Sequence, residues 1–324
     1  MDKGAKEEMK YLSPSSFLKG LNCEHHLYLE KVKRVLGEEQ PRTYSLAMCT
    51  GTAFDIMVKG ALNRRIKVAE ELKQEIPPEY TAAIEVAKVL FECYNNGPMQ
   101  ELRKEGIGYG SIDQETEIQY YDAHSFPGVI HLWSSILYGK PDLTLTDGTV
   151  LDWKCQGMFG SGKQPVDGYV RCYLYDKSSP FNGKDLGPTA KSDVPLEEIN
   201  RDWATQTYLY ARLLGHKVGA KLRAGIENVC VDKRDVVRIA SYRNPITPNF
   251  QSYTELKFHT IWAKMNGLVM PDGKPLAIDK PHYHKNKCVK YNKICNVAEF
   301  CDAYKLRNDP PAMGSKLNMF EGLI

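Results

Sequence analysis

No run in this 324-residue chain stays apolar for the roughly twenty positions that a bilayer-spanning helix needs. No secretory leader opens it either, so the expectation is a protein of the cytoplasm, in a bacterial or a virus-infected cell, without membrane contact. An excess of one charge is also missing, since 43 Lys and Arg stand against 40 Asp and Glu. That balance neither supports nor excludes a nucleic-acid partner, because a local basic groove suffices and an acidic site subtracts from the total. Internal repeats, low-complexity tracts and coiled-coil heptads are absent, which removes solenoids and long zippers from consideration. A disulfide framework is not expected despite nine cysteines, because intracellular thiols stay reduced and are available to metals.

What the chain does hold is concentrated in GKPDLTLTDGTVLDWKCQG. Read as a hairpin with the loop Thr146-Asp147-Gly148, in which Gly148 supplies the left-handed position, this stretch sets Asp142 opposite Asp152. Side chains alternate along a strand, so Val150, Asp152 and Lys154 share one face while Leu151 and Trp153, with Leu143 and Leu145, take the apolar one. Two opposed carboxylates repel unless a cation lies between them, and Mg²⁺ or Mn²⁺ suits hard oxygen donors. Lys154 then stands beside the metal and can position its water for phosphodiester cleavage. The plain alternative is a surface hairpin with an ordinary Asp and Lys pair.

Downstream, PLEEINRDWATQTYLYARLLG has helical spacing and no internal Gly or Pro, which predicts a helix ending at Gly215. Asp202, Gln206 and Tyr210 fall on one stripe of it. PD, then DWK, then a helix bearing Gln206 and Tyr210 as Q-x-x-x-Y resembles the RecB-type branch of the PD-(D/E)XK nuclease superfamily. The start of the chain is similar as well. Ser13 is a candidate N-cap with Pro14 following, and Cys23 occupies the family's cysteine place, although Glu24 stands where proline is common. The segment GTAFDIMVKG resembles the family's G-x-x-x-H helix with Asp55 in place of the histidine, either as a metal ligand or as a solvated helix residue. In DQETEIQYY, Glu115 or Glu117 offers a further carboxylate on the preceding strand.

The resemblance also implies a cluster. Cys288, Cys295 and Cys301 near the C-terminus, together with Cys23, resemble the one-plus-three arrangement by which AddB-type and CRISPR-associated nucleases hold a 4Fe-4S cluster, which joins the first helix to the last. The Cys288 to Cys295 spacing is wider than the family's C-x-x-C, with Asn292 at the expected position. Four thiolates also make a structural zinc site, to which His282 and His284 can add, so zinc is the alternative. Cys49, Cys93, Cys155, Cys172 and Cys230 read as small buried hydrophobes.

Element order predicts an α/β fold, a mixed central sheet flanked by helices, and the resemblance implies a restriction-endonuclease-like core. Helices are expected over about 12–35, 52–61 and 79–95, after Leu196, and in SYTELKFHTIWAKMNGLV; strands near 116–121, 139–145 and 150–154, and in LRAGIENVCVD and DVVRIASYR. Residues 1–307 then form one nuclease domain: a helical part at 12–105, the catalytic core at 106–260, and a C-terminal helix with the cysteines at 261–307. An insertion at about 155–195 and a tail at 308–324 complete it. The insertion reads as a long structureless connection in which Lys163, Tyr169, Arg171, Tyr173 and Lys177 interleave cations with aromatics, as suits single-stranded nucleic acid; a small decorated hairpin is the alternative. In the tail, KLNMF resembles a sliding-clamp peptide, though a terminus packed on its own domain explains it as well. The resemblance implies a metal-dependent DNA exonuclease with Asp142 and Asp152 on the metal, Lys154 on the water, and Gln206 and Tyr210 arranging lysine and DNA. The alternatives are a structure-specific endonuclease and a non-cleaving module that binds DNA or a partner.

Overall fold

Leu143–Thr144 (β3) pairs antiparallel with Val150–Gln156 (β4), Leu143 facing Leu151 and Thr144 facing Val150. In this computed structural model the residues described are 11–33, 44–63, 66–106, 116–122, 133–159, 162–267, 289–290, 293–295, 297 and 301. The loop is the expected one. Gly148 has φ +84°, and the Leu145 N–H donates to the Thr149 carbonyl at 2.9 Å. Carried one step outward, this register sets Asp142 opposite Asp152.

From β4 the sheet grows by a parallel neighbour, Leu222–Val231 (β7), on which Val236–Ile246 (β8) folds back antiparallel. Arg171–Asp176 (β5) pairs with β8, and Ser179–Asp185 (β6) closes the order β3-β4-β7-β8-β5-β6. The stretch after Lys154 is therefore not structureless, because two of its segments are strands of the central sheet. β6 gives little sequence signal: it lies at the sheet's edge, its last five residues are exposed, and Phe181 is 69% exposed.

Helices cover both faces of this mixed sheet. Leu46–Leu62 (α3) starts at Ser45, whose hydroxyl accepts the Met48 N–H at 3.2 Å, and Thr81–Asn95 (α5) packs beside it. Phe54, Val58, Leu90 and Tyr94 from these helices meet Leu143, Leu151, Trp153 and Val229 in one buried cluster. Two further helices lie where only connections are expected. Val68–Glu75 (α4) fully buries none of its side chains and packs only Val68 and Leu72, partly buried, against the core, so its sequence carries little apolar pattern. Pro98–Glu105 (α6) begins at a helix-compatible proline and buries only Pro98, Met99 and Leu102. On the opposite face, Leu196–Ile199 (α7) leads into Arg201–Leu213 (α8), capped by Asn200, whose Oδ1 accepts the Trp203 N–H at 3.1 Å. Gly215, with φ +88°, follows its end.

Contacts divide the chain into two compact units. The sheet and the helices just named belong to Pro41–Gln119 with Ile136–Leu256, and the other unit is Met1–Gln40, Tyr120–Ser135 and Lys257–Ile324. In the latter, Ser13 caps Pro14–Asn22 (α1) by accepting the Ser16 N–H at 3.2 Å. The single helix expected to Val35 is interrupted at Cys23, which is extended at φ −161°, ψ 103°, before Glu24–Leu27 (α2) and a π-turn at Tyr28–Val32. Pro248–Met265 (α9) runs from the first unit into the second, where Phe258 meets Phe17 with ring centroids 5.5 Å apart. Thr116–Asp122 (β1) and Trp133–Gly139 (β2) make a separate two-stranded ladder, and Val289–Lys290 (β9) pairs with Lys293–Ile294 (β10).

The hairpin's packing and its turn make separable contributions. Leu151→Ala, at a fully buried position, is expected to cost about 2–5 kcal/mol by leaving a cavity. Gly148→Ala, strained by the positive φ but facing open space, is expected to cost about 1–2 kcal/mol. Urea denaturation of both variants measures the difference.

Candidate active site

The alternation of β4 decides what reaches this site. Leu151 and Trp153 point into the cluster under α3 and α5, so Asp152 and Lys154 point the other way, toward α8. Asp152 is 3% exposed, and its Oδ2 forms a close ion pair with the Lys154 ammonium. Lys154 Nζ also donates to Gln206 Oε1 at 2.9 Å, and Gln206 Nε2 donates to the Tyr210 hydroxyl at 3.0 Å. One turn of α8 separates those two residues, so the helix aligns amide and phenol as a relay ending on the lysine. Burial, with the Asp152 charge adding to it, pushes the Tyr210 phenol well above its usual range, so it stays protonated. Asp202, on the same stripe, is exposed and outside the relay.

Asp142 is held from two sides. Its Oδ2 accepts the Trp153 N–H at 3.3 Å, and its Oδ1 accepts from the Lys59 ammonium at 3.1 Å. The same ammonium donates to Asp55 Oδ2 at 2.7 Å. Lys59, whose side chain is only 5% exposed, lies 5.9 Å from the centre of the Trp153 ring. It therefore links Asp55 to Asp142 through a buried cation. Sequence reading singled out Asp55 and passed over Lys59, although the i, i+4 spacing of an acid and a lysine inside an otherwise apolar helix was the available signal.

The two opposed carboxylates titrate in opposite directions. Burial raises Asp152, the neighbouring Asp142 charge and a hydrogen bond to it add to the rise, and Lys154 only partly offsets them, leaving its carboxyl at about 8. Burial would raise Asp142 too, but the Lys59 charge, the hydrogen bond from Asp152 and the Lys154 charge together hold it below the ordinary value. Burial and mutual repulsion thus make Asp152 the weaker acid of the pair and favour sharing of one proton between the two carboxylates.

The other expected residues are described only in part. Glu117 falls on β1 with its side chain outside the described residues, and Glu115 and Cys288 lie outside them altogether. Cys23, Cys295 and Cys301 are half-buried and form no disulfide among the described residues. Cys295 Sγ lies 3.8 Å from Nδ1 of His26, in the helix that Cys23 caps, and His26 Nε2 lies 3.2 Å from Glu30 Oε2. Hydrogen bonds to Cys295 and then Glu30 raise His26 to about 9. Burial works against ionising Cys295, yet the His26 hydrogen bond and charge bring its thiol below the ordinary value. Among the described residues no three His, Cys, Asp or Glu side chains gather as a ready-made metal cage, so four converging thiolates are not seen there. Of the proposed DNA contacts, Lys163 is exposed, and the Tyr169 ring packs edge-on against Tyr242. Arg171 pairs with Glu101 at 3.1 Å and with Asp185 at 3.5 Å, while Lys177 pairs with Asp235 at 3.2 Å.

Because folding raises the Asp152 value, its contribution is favourable at low pH, where the group is protonated in both states. That contribution is lost as pH climbs from the ordinary carboxylate range through about 8. In chelator, the wild type is therefore expected to lose thermal stability from mildly acidic to mildly alkaline buffer. Asp152→Asn, which cannot ionise, should flatten that slope; calorimetric melts across the range read both, and parallel slopes would contradict the shared proton.

No protein-family model matches the chain, and no curated protein matches it. Among solved structures it is similar to a crystal structure of a "Putative exonuclease" from Eubacterium rectale, with 14% sequence identity and a TM-score of 0.46 over 79% of this chain and 79% of that one.

Proposed function

We propose that this chain is a metal-dependent DNA nuclease that hydrolyses phosphodiester bonds at DNA ends, as an exonuclease. The observation that carries the reading is the opposition of Asp142 and Asp152 across the β3–β4 hairpin, with Lys154 held beside them by Gln206. The donor set fits a hard divalent ion. Two carboxylates converge, Asp152 nearly buried and Asp142 partly exposed, and their mutual repulsion calls for positive charge between them. Asp142 and Asp152 would hold Mg²⁺ or Mn²⁺, which when bound acidifies water and offsets charge developing on a phosphate.

The chain's own groups supply the rest. Lys154, directed by its hydrogen bond to Gln206, would present a remaining N–H to a water or a phosphate oxygen. Gln206 fixes the ammonium's direction because its own amide is fixed by Tyr210. Tyr210, protonated throughout the working range, acts as a donor and not as a base. Asp55 and Lys59 hold Asp142 in place without facing the reacting atoms.

Linear and covalently closed single- and double-stranded DNA, incubated with Mn²⁺ or with chelator, test the reading. Degradation of linear substrates with metal, and persistence of closed circles, is expected. Cutting of circles would favour a structure-specific endonuclease, and binding without degradation would favour a non-cleaving module. Asp152→Asn and Lys154→Ala are expected to lower the cleavage rate about 10³-fold while DNA binding persists. Gln206→Ala, which only releases the lysine, should cost about 10- to 100-fold. Full activity in Asp152→Asn would reject the site.

A further inference from the structure

Lys59 has no part in the chemistry just described, yet it is the most deeply buried ammonium at the site, with a side chain 5% exposed against 22% for Lys154. We propose that its ammonium takes the place of a second divalent cation, so that the site accepts a single metal, between Asp142 and Asp152. The inference rests on the nuclease reading and deepens it, by fixing how many ions that site employs.

Sites that use two ions place them about 4 Å apart with oxygen donors shared between them. Asp142 is in a position to be shared. One of its oxygens accepts from the Trp153 N–H on the hairpin side, and the other faces α3. On the α3 side the second carboxylate such an ion would need is also present, because Asp55 Oδ2 and Asp142 Oδ1 both lie about 3 Å from one point. That point is Lys59 Nζ, at 2.7 Å and 3.1 Å. An ammonium supplies the charge that two carboxylates require, and it is tethered by a stem on the middle of α3 and lies over the Trp153 ring. To enter, a divalent ion would have to expel a buried cation from between Asp55 and Asp142 while the chain holds it in place.

The test counts bound ions and needs no catalysis. Mn²⁺ binding is followed by electron paramagnetic resonance of the free ion and by calorimetry, in the wild type, in Lys59→Met and in Asp55→Asn. Methionine keeps an unbranched apolar stem over Trp153 and removes only the charge. One ion per chain is expected in the wild type and in Asp55→Asn, and two in Lys59→Met, the second lost again in Lys59→Met/Asp55→Asn. Two ions in the wild type, falling to one in Asp55→Asn, would overturn the proposal while leaving the nuclease reading intact. One ion of unchanged affinity in Lys59→Met would do the same. No bound Mn²⁺ in the wild type would sink the metal-dependent reading and this inference with it. Should Lys59→Met fail to fold, the wild type and Asp55→Asn still decide the matter.

Discussion

Two carboxylates facing one another with little solvent between them are the constraint around which the larger unit is organised. Unit charges about 4 Å apart interact by about 4 kcal/mol at the effective dielectric of a protein surface, a large fraction of the roughly 5–15 kcal/mol that keeps a domain folded. Asp142 and Asp152 therefore need compensation, and it arrives from three separate elements: Lys154 on the same strand, Lys59 on α3, and the Gln206 and Tyr210 relay on α8. Each of these reaches the hairpin only if its own element is seated in register. A slip of one residue between β3 and β4 would turn a carboxylate from the α8 side into the apolar cluster, so the electrostatic and packing demands select the same pairing.

Trp153 joins those two demands in one residue. Its backbone N–H donates to Asp142, its indole N–H donates to the buried Tyr94 hydroxyl at 3.0 Å, and its ring lies near the Lys59 ammonium. Asp152 and Lys154 flank it in sequence but project to the opposite face. A large aromatic between the acid and the lysine thereby anchors the strand in the apolar cluster while its neighbours carry the polar chemistry. The buried Glu227, directly beside Trp153 on β7, is neutralised in its turn by Arg243 at 2.7 Å and by the Ser241 hydroxyl at 2.7 Å, which keeps a further acid out of the site's charge balance.

What was legible in the sequence was local. Alternation across DGTVLDWK and the glycine of its loop gave the hairpin and the opposition of its carboxylates, because strand period and turn chemistry act within a few residues. Helical spacing gave α8 with Gln206 and Tyr210 on one stripe. The i, i+4 spacing of Asp55 and Lys59 marks that pair, but no short-range rule links Lys59 to Asp142, 83 residues away. Helix α4 escaped because only Val68 and Leu72 of it reach the core, and β6 because an edge strand facing water has no apolar alternation to read. The break at Cys23 is of another kind: a single extended residue ends one helix and caps the next through its own side chain, without a proline or glycine to announce it.

The cations on β5 and its turn differ from those at the site in the one respect that matters for binding a phosphate backbone. Arg171, 40% exposed, pairs with Glu101 and Asp185, which are themselves partly exposed, and Lys177 pairs with a largely exposed Asp235. Ion pairs of that kind are worth about 0–1 kcal/mol, so a phosphate can replace either partner at small cost. Lys59 is not exchangeable in this way. Its own side chain is nearly buried, and removing one partner from beside it leaves an ammonium poorly compensated in a poorly solvated place. A cation thus serves as a replaceable surface contact at Arg171 and Lys177 and as a fixed structural charge at Lys59, and burial separates the two roles.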